Sequence, residues 1–216
     1  MIGREKETAR LNQIYDSDES EFVAVYGRRR VGKTYLVREV FANRILFSHT
    51  GRSNASTKQQ LAAFRASLQE QGLVNCPPLG SWLEAFQELK RLINSSDAPR
   101  KVLFIDELPW IDTPTSGVLS ELEGFWNQWA SARKDIVLVV CGSATSWIIN
   151  KVLRNRGGLH NRVTAQISLE PFTLGECERY AASRGMAPSR AEIVEYYMVL
   201  GGIPYYWRFL DKGLSL

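Results

Sequence analysis

Cysteine and histidine are scarce in this sequence, with three cysteines and two histidines in 216 residues. Cys76, Cys141 and Cys177 stand far apart, form no CxxC pair and are odd in number, which excludes a disulfide framework and a zinc ribbon. They read as small apolar fillers. His49 and His160 have no cysteine or second histidine at ligand spacing, so a metal site built on them is excluded too. No apolar run approaches the roughly 20 residues that cross a bilayer. The opening Met1-Ile2-Gly3-Arg4-Glu5-Lys6-Glu7 is charged where a signal peptide is apolar, so a soluble, cytoplasmic chain without membrane partners is expected. A G-x-S-x-G nucleophile elbow, internal repeats and low-complexity segments are also missing.

What remains is the composition of an ordinary globular protein, 44% hydrophobic and 23% charged. The length fits one domain, or one domain with a small appended lid. Net charge is +4 and the sequence pI is about 9.0, which permits a nucleic-acid partner without demanding one.

Apolar runs of strand length alternate with longer segments of helical period, the pattern of a parallel sheet covered by helices. The runs are Phe22–Tyr26, Ile45–His49, Val102–Ile105, Ile136–Val140 and the weaker Thr164–Leu169. The first, third and fourth are nearly continuous in Val, Ile, Leu and Phe, as strands buried on both faces are. Leu36, Val37, Val40 and Phe41 share one helix face, and so do Leu61, Phe64 and Leu68. After the Pro77-Pro78 loop, Ser81-Trp-Leu-Glu84 reads as a capping box opening a third helix. A fourth carries Leu119, Leu122, Phe125, Trp126 and Trp129 on one stripe, which fits core and also a partner surface. Beyond Pro171 the pattern turns helical, with capping boxes at Thr173–Glu176 and Ser189–Glu192. Residues 1–170 therefore read as a core domain and 171–216 as a helical lid. The last element begins at Gly201-Gly-Ile-Pro204 and is cut short, so a fragment of a longer protein is expected.

The segment Gly27-Arg28-Arg29-Arg30-Val31-Gly32-Lys33-Thr34 matches G-x-x-x-x-G-K-[ST] directly after a buried strand and directly before a helix. Glycines let successive amides turn inward on an anion, and the helix adds its positive end. Lys33 supplies a mobile cation for β and γ phosphates, and the Thr34 hydroxyl is a hard ligand suited to Mg²⁺. ATP and Mg²⁺ are the expected cofactors. A second site follows from Lys101-Val-Leu-Phe-Ile-Asp106-Glu107, a buried strand ending in two carboxylates. Asp106 would hold the metal through a bound water, and Glu107 would polarise the water that attacks the γ phosphate. By itself such a pair also fits the start of a surface loop.

The next strand ends in Cys141-Gly-Ser143-Ala-Thr145-Ser146, which puts hydroxyls at the carboxyl edge where open α/β sheets bind ligands. Ser143 is the first candidate for a polar sensor of the γ phosphate and Thr145 the second; a helix N-cap is the alternative for either. Arg154, Arg156 and Arg162, just before the last strand, could neutralise transition-state charge in their own subunit or in a neighbour's, or be exposed structural arginines. Arg162 is taken as the candidate.

With these motifs located, the chain resembles the AAA+ ATPases, in particular the STAND-like group of archaeal and bacterial ATPases. Ile2-Gly3-Arg4-Glu5 is similar to that family's Gly-Arg-Glu box near the adenine, and Tyr26 to Thr34 to its P-loop. Cys141-Gly-Ser-Ala144 is similar to the sensor strand end, and Gly202-Ile-Pro204 to the Gly-x-Pro motif of the lid. The resemblance implies a five-stranded P-loop sheet of order 5-1-4-3-2 with the catalytic strand beside the P-loop strand. It also implies a continuation into a winged helix and an effector part, sometimes nuclease-like. The function expected is Mg²⁺-dependent ATP binding and hydrolysis that resets a switch between sheet and lid, with ATP and ADP as ligands and self-association or a C-terminal effector as partners. The alternatives are a regulatory ATP-binding module with negligible turnover and a DNA-engaging ATPase.

Overall fold

Phe22-Val-Ala-Val25 alternates its side chains between two hydrophobic layers, Phe22 and Ala24 facing one and Val23 and Val25 the other. A strand apolar on both faces needs helices above and below it, and that requirement organises the molecule. The computed structural model describes residues 1–154, 159 and 161–210.

In chain order, α1 (Glu5–Tyr15) leads to β1 (Glu21–Gly27), α2 (Lys33–Phe41), a short 3-10 turn and β2 (Ile45–Thr50). Helices α3 (Thr57–Glu70) and α4 (Trp82–Asn94) precede β3 (Lys101–Asp106), α5 (Leu108–Ile111) and α6 (Val118–Phe125). Next come β4 (Ile136–Gly142), the single turn α7 (Thr145–Trp147) and β5 (Ala165–Leu169), then α8 (Leu174–Ser183), α9 (Arg190–Leu200) and α10 (Pro204–Trp207). The strands form one parallel sheet in the order β2-β3-β4-β1-β5, the order that the resemblance implies. Every residue of β3 and β4 is buried, whereas β5, at an edge, alternates buried and exposed.

One layer packs α1 and α2 on the sheet through Leu11, Ile14, Leu36, Val37 and Phe41. The other packs α3, α4 and α6 through Phe64, Leu68, Phe86, Leu89, Leu122 and Phe125. Helix α1 was not among the expected elements, because only Leu11 and Ile14 are buried along its charged length. The aromatic stripe of α6 continues into a π-helical turn, Trp126–Ala130, and Trp126 lies 5.1 Å from the Phe22 ring. Phe125 and Trp126 are buried with Leu119 and Trp129 packed beside them, so the stripe is core.

Side-chain hydrogen bonds set the ends of these elements. The boxes expected at Thr173–Glu176 and Ser189–Glu192 are complete, and a further one, Ser56 with Gln59, opens α3. At α4 the expectation needs correction. Ser81 accepts from the Glu84 amide, but the Glu84 carboxylate takes the amide of Gly80, one residue earlier than a capping box requires. On edge strand β2, the Gln71 side chain bonds both the amide and the carbonyl of Ser48, which blunts an edge that would otherwise template another strand.

Beyond β5, helices α8 to α10 gather their own cluster, Phe172, Cys177, Ala181, Ile193, Tyr196 and Trp207. Burial pushes the Cys177 thiol up to about 12. Gly202 closes the end of this cluster against Phe172: its carbonyl accepts from the Phe172 amide at 2.6 Å, and a Cβ there would lie 1.8 Å from the Phe172 oxygen. Only glycine fits so close an approach. Among the described residues no helix is long and apolar enough to cross a membrane.

Candidate functional site

The turn from β1 into α2 carries the Gly27 to Thr34 motif at the carboxyl edge of the sheet. Gly27 is held beside β5, where a Cβ would sit 2.3 Å from the Leu169 oxygen. Arg30 and Gly32 are in the left-handed region, φ 68° and 96°, and these reversals curl the loop before Lys33 begins the helix. Free amides at a helix start facing a loop of this curvature make an anion nest. Lys33 is buried, and its Nζ donates to the carbonyls of Gly27 and Arg28 at 3.0 Å each. The amine is folded over the loop it would share with phosphate oxygens.

Strand β3 brings the carboxylates alongside. Thr34 Oγ1 donates to Asp106 Oδ2 at 2.7 Å, and Asp106 Oδ1 accepts from the Glu107 amide at 2.9 Å. Glu107 has left-handed backbone angles, φ 48° and ψ 46°, which are unfavourable for a side chain with a Cβ and are tolerated where the surroundings over-determine them. The surroundings do so here. A Cβ on Gly51, after β2, would lie 2.6 Å from the Glu107 oxygen, and one on Gly142, at the end of β4, 2.8 Å from the Pro109 ring. Two glycines on flanking strand ends thus admit the tight turn that aims Glu107. The motif reading did not use them, although glycine at two neighbouring strand ends was a legible signal.

Ser143 closes the arrangement. Its hydroxyl donates to Glu107 Oε2 at 3.0 Å and its amide reaches the same oxygen at 3.3 Å. It is not an N-cap, because α7 is preceded by Ala144 and has no side-chain cap bond. Thr145 is the first residue of α7, and its amide donates to the Ser143 carbonyl at 3.1 Å. Beneath it, Cys141 is a buried thiol pushed well above its usual range by burial, and then by the Asp106 carboxylate. Thr34, Asp106, Glu107 and Ser143 are therefore one connected set. For a magnesium ion the donors fit, a hydroxyl and a carboxylate of hard oxygens meeting beside the loop, and Mg²⁺ needs only one or two protein ligands when phosphates and water supply the rest. Among the described residues no group of three or more His, Cys, Asp or Glu side chains could hold a metal on its own.

The three loop arginines diverge. Arg28 is exposed and contributes its carbonyl to Lys33. Arg29 turns toward the ends of β3 and β4, its Nε 3.5 Å from Ser143 Oγ and its guanidinium 5.8 Å from the Trp110 ring centre. Arg30 turns the other way, donating to the Tyr206 hydroxyl at 2.8 Å and stacking on the Tyr205 ring at 4.6 Å. Between these rims lies a cavity of about 1030 Å³, bordered by Val31 to Thr34, Glu107 and Ser143 on the sheet side. Tyr180, Arg184, Pro204, Tyr205 and Arg208 border it on the side of α8 to α10.

Met1, Ile2 and Phe172 complete its apolar wall. Arg4, expected near a bound base, is buried and ties three parts together: it donates to the Val31 carbonyl at 3.0 Å and the Glu170 carbonyl at 2.8 Å, and its guanidinium lies over Phe172. Arg184, Arg208 and Trp110 were not singled out by the sequence, since no local pattern announces which residues of other elements will face a loop far away in the chain.

Arg162 is not brought to this site. It precedes β5, and the neighbouring Thr164 amide donates to Phe22, near the start of β1, so Arg162 lies at the amino edge of the sheet. The length of β5 separates it from Gly27, roughly 15 Å at about 3.3 Å per residue. Arg154 is exposed, and Arg156 and His160 fall outside the described residues. His49 is buried with Nδ1 3.0 Å from Ser67 Oγ, and burial, aided by Arg52, lowers it to about 4, so it is neutral.

Residues 1–208 match the model of a family described as an ATPase domain predominantly from Archaea. A curated but uncharacterised protein of Methanocaldococcus jannaschii is 28% identical, with 100% of this chain aligned to 47% of that protein. The chain thus spans about half the length of that relative. Among solved structures, the Walker-type ATPase of Pyrococcus abyssi superposes with a TM-score of 0.69 at 17% identity, over 96% of this chain and 65% of that one. The Aeropyrum pernix ORC2 protein, solved as ADPNP-ADP complexes, gives 0.59 at 16% identity, over 89% of this chain and 52% of that one. These two likenesses show the fold.

Proposed function

The chain belongs to the ATPase domain family found predominantly in Archaea, and from that membership we propose that it binds Mg·ATP at Gly27 to Thr34 and hydrolyses it with Glu107 as the general base. The observation that carries this reading is the hydrogen bond of 2.7 Å between Thr34 Oγ1 and Asp106 Oδ2, which joins the phosphate loop to the carboxylate strand on the floor of the cavity. The loop amides and Lys33 hold the phosphates; Thr34 and Asp106 would together hold the magnesium, the hydroxyl as its ligand and the carboxylate by orienting that hydroxyl and the water around the ion. When bound, magnesium neutralises charge on the β and γ oxygens. Glu107 takes the proton of the attacking water, and Ser143, bonded to Glu107 Oε2, orients that carboxylate beside the terminal phosphate.

In this reading residues 1–170 are the ATPase core and 171–216 the lid, and hydrolysis resets a switch between them. The contact of Arg30 with Tyr206 supports a lid that responds to the loop. A finger role for Arg162 is confined to a neighbouring subunit, given its distance from its own loop. The nucleotide fixed in the ORC2 complexes makes ATP the first ligand to try here. The test is steady-state phosphate release from ATP in excess Mg²⁺ and in EDTA. Release that requires Mg²⁺ is expected; no release in either condition, with nucleotide still bound, would leave a regulatory binding module instead.

A further inference from the structure

Six basic side chains border the cavity, Arg4, Arg29, Arg30, Lys33, Arg184 and Arg208, and they are not equivalent. Arg4 is engaged by two carbonyls and Phe172, Arg30 by Tyr206 and Tyr205, and Lys33 by the loop. Arg208 stacks on Tyr205 and Phe209 within the lid, and Arg184 caps the far end of α8. Arg29 is the one turned toward the carboxylate strand. It has no carboxylate partner among the described residues, and its only hydrogen bond there is a long one, 3.5 Å, to the Ser143 hydroxyl. That hydroxyl in turn donates to Glu107 Oε2 at 3.0 Å, so the polarity runs one way from guanidinium to hydroxyl to carboxylate.

We infer that Arg29 distinguishes a nucleoside triphosphate from a diphosphate by binding the terminal phosphate from within its own loop. The inference rests on the ATPase reading above. If Glu107 activates the attacking water, the phosphorus under attack lies beside Glu107. A cation one hydroxyl away from that carboxylate then meets the terminal group and not the two phosphates cradled by the amides. A diphosphate leaves Arg29 on Ser143, as it is found here. A triphosphate offers a fully charged acceptor in place of a weak neutral one, and a planar guanidinium suits phosphate oxygens. Arg29 thereby supplies in cis the charge that Arg162 cannot bring to its own site, and its departure from Ser143 leaves that hydroxyl to Glu107 alone.

The experiment is calorimetric titration of the 216-residue chain, wild type, Arg29→Ala and Arg29→Lys, with Mg·ADP and with the non-hydrolysable Mg·AMP-PNP. Arg29→Ala should weaken AMP-PNP about 10- to 100-fold, the range for a charged hydrogen bond, and leave ADP within about twofold. Arg29→Lys should recover part of the loss, as a point charge without the planar fork. Retained ADP binding also shows that each variant is folded; should Arg29→Ala not fold, the lysine variant carries the same contrast. An equal loss for both nucleotides, or no loss for either, overturns the inference while leaving the ATPase reading intact. If the wild-type chain binds neither nucleotide, the ATPase reading itself fails and the inference falls with it.

Discussion

The two rims of the cavity are built from opposite materials. On the sheet rim, short side chains at strand ends are bonded to one another at 2.7 to 3.3 Å: Thr34 to Asp106, Asp106 to the Glu107 amide, Ser143 to Glu107. On the rim of α8 to α10, long side chains stack in the open: Arg30 of the loop reaches Tyr206, and Arg208 lies over its neighbour Tyr205, with both tyrosines 37% exposed. Short groups fixed by packed strands are preorganised, which is what electrostatic stabilisation of a transition state requires. Exposed stacks of arginine on tyrosine are weak and can part, which is what a moving lid requires. In the proposed reading, this difference gives chemistry to one rim and response to the other.

That division can be broken in four graded ways. Lys33→Ala strikes the sheet rim hardest; Mg·AMP-PNP affinity should fall about 100-fold or more by calorimetry, since a charge-assisted contact to phosphate is lost in a buried site. Acid should act on the sheet half next, through His49. Its folded value is about 4, against an ordinary 6.5, so the unfolded chain takes up a proton first as pH falls. Stability should therefore drop from about pH 6.5 to about pH 4 and then level off in this contribution, by at most roughly 3 kcal/mol. Urea melts across that range should flatten in His49→Gln. Ser143→Ala should lower kcat about tenfold with AMP-PNP affinity little changed, because it frees the Glu107 carboxylate without touching the phosphate cradle. Tyr206→Phe should be mildest, changing affinity by less than about fivefold, the worth of one exposed hydrogen bond. A Tyr206→Phe loss larger than that of Ser143→Ala in kcat would erase the distinction between rims.

The strands and the phosphate loop were legible because their signals are local. Phe22-Val-Ala-Val and Ile136-Val-Leu-Val-Val can only be buried strands, and Gly32-Lys33-Thr34 after one of them has one common use. Asp106 and Glu107 followed from being adjacent at a strand end. The strand order was reached only through family resemblance, because spacing along the chain does not state which strands pair. Other features were hidden for the same nonlocal reason. Arg4 was placed near a bound base by the Gly3-Arg4-Glu5 resemblance, but its contacts with Val31, Glu170 and Phe172 have no local signal. The edge at which Arg162 falls was hidden too, because closeness in sequence to a sheet strand does not say at which end of the sheet a residue lies. Helix α1 escaped because two buried residues make too faint a period.

The most direct test is phosphate release by Glu107→Gln measured beside its binding of Mg·ATP. The substitution keeps the shape of the side chain and removes its basicity. Turnover should fall by about 10² to 10⁴, the worth of a positioned general base, with ATP affinity within about twofold of wild type. Turnover that persists at the wild-type rate would contradict the assignment of chemistry to the sheet rim.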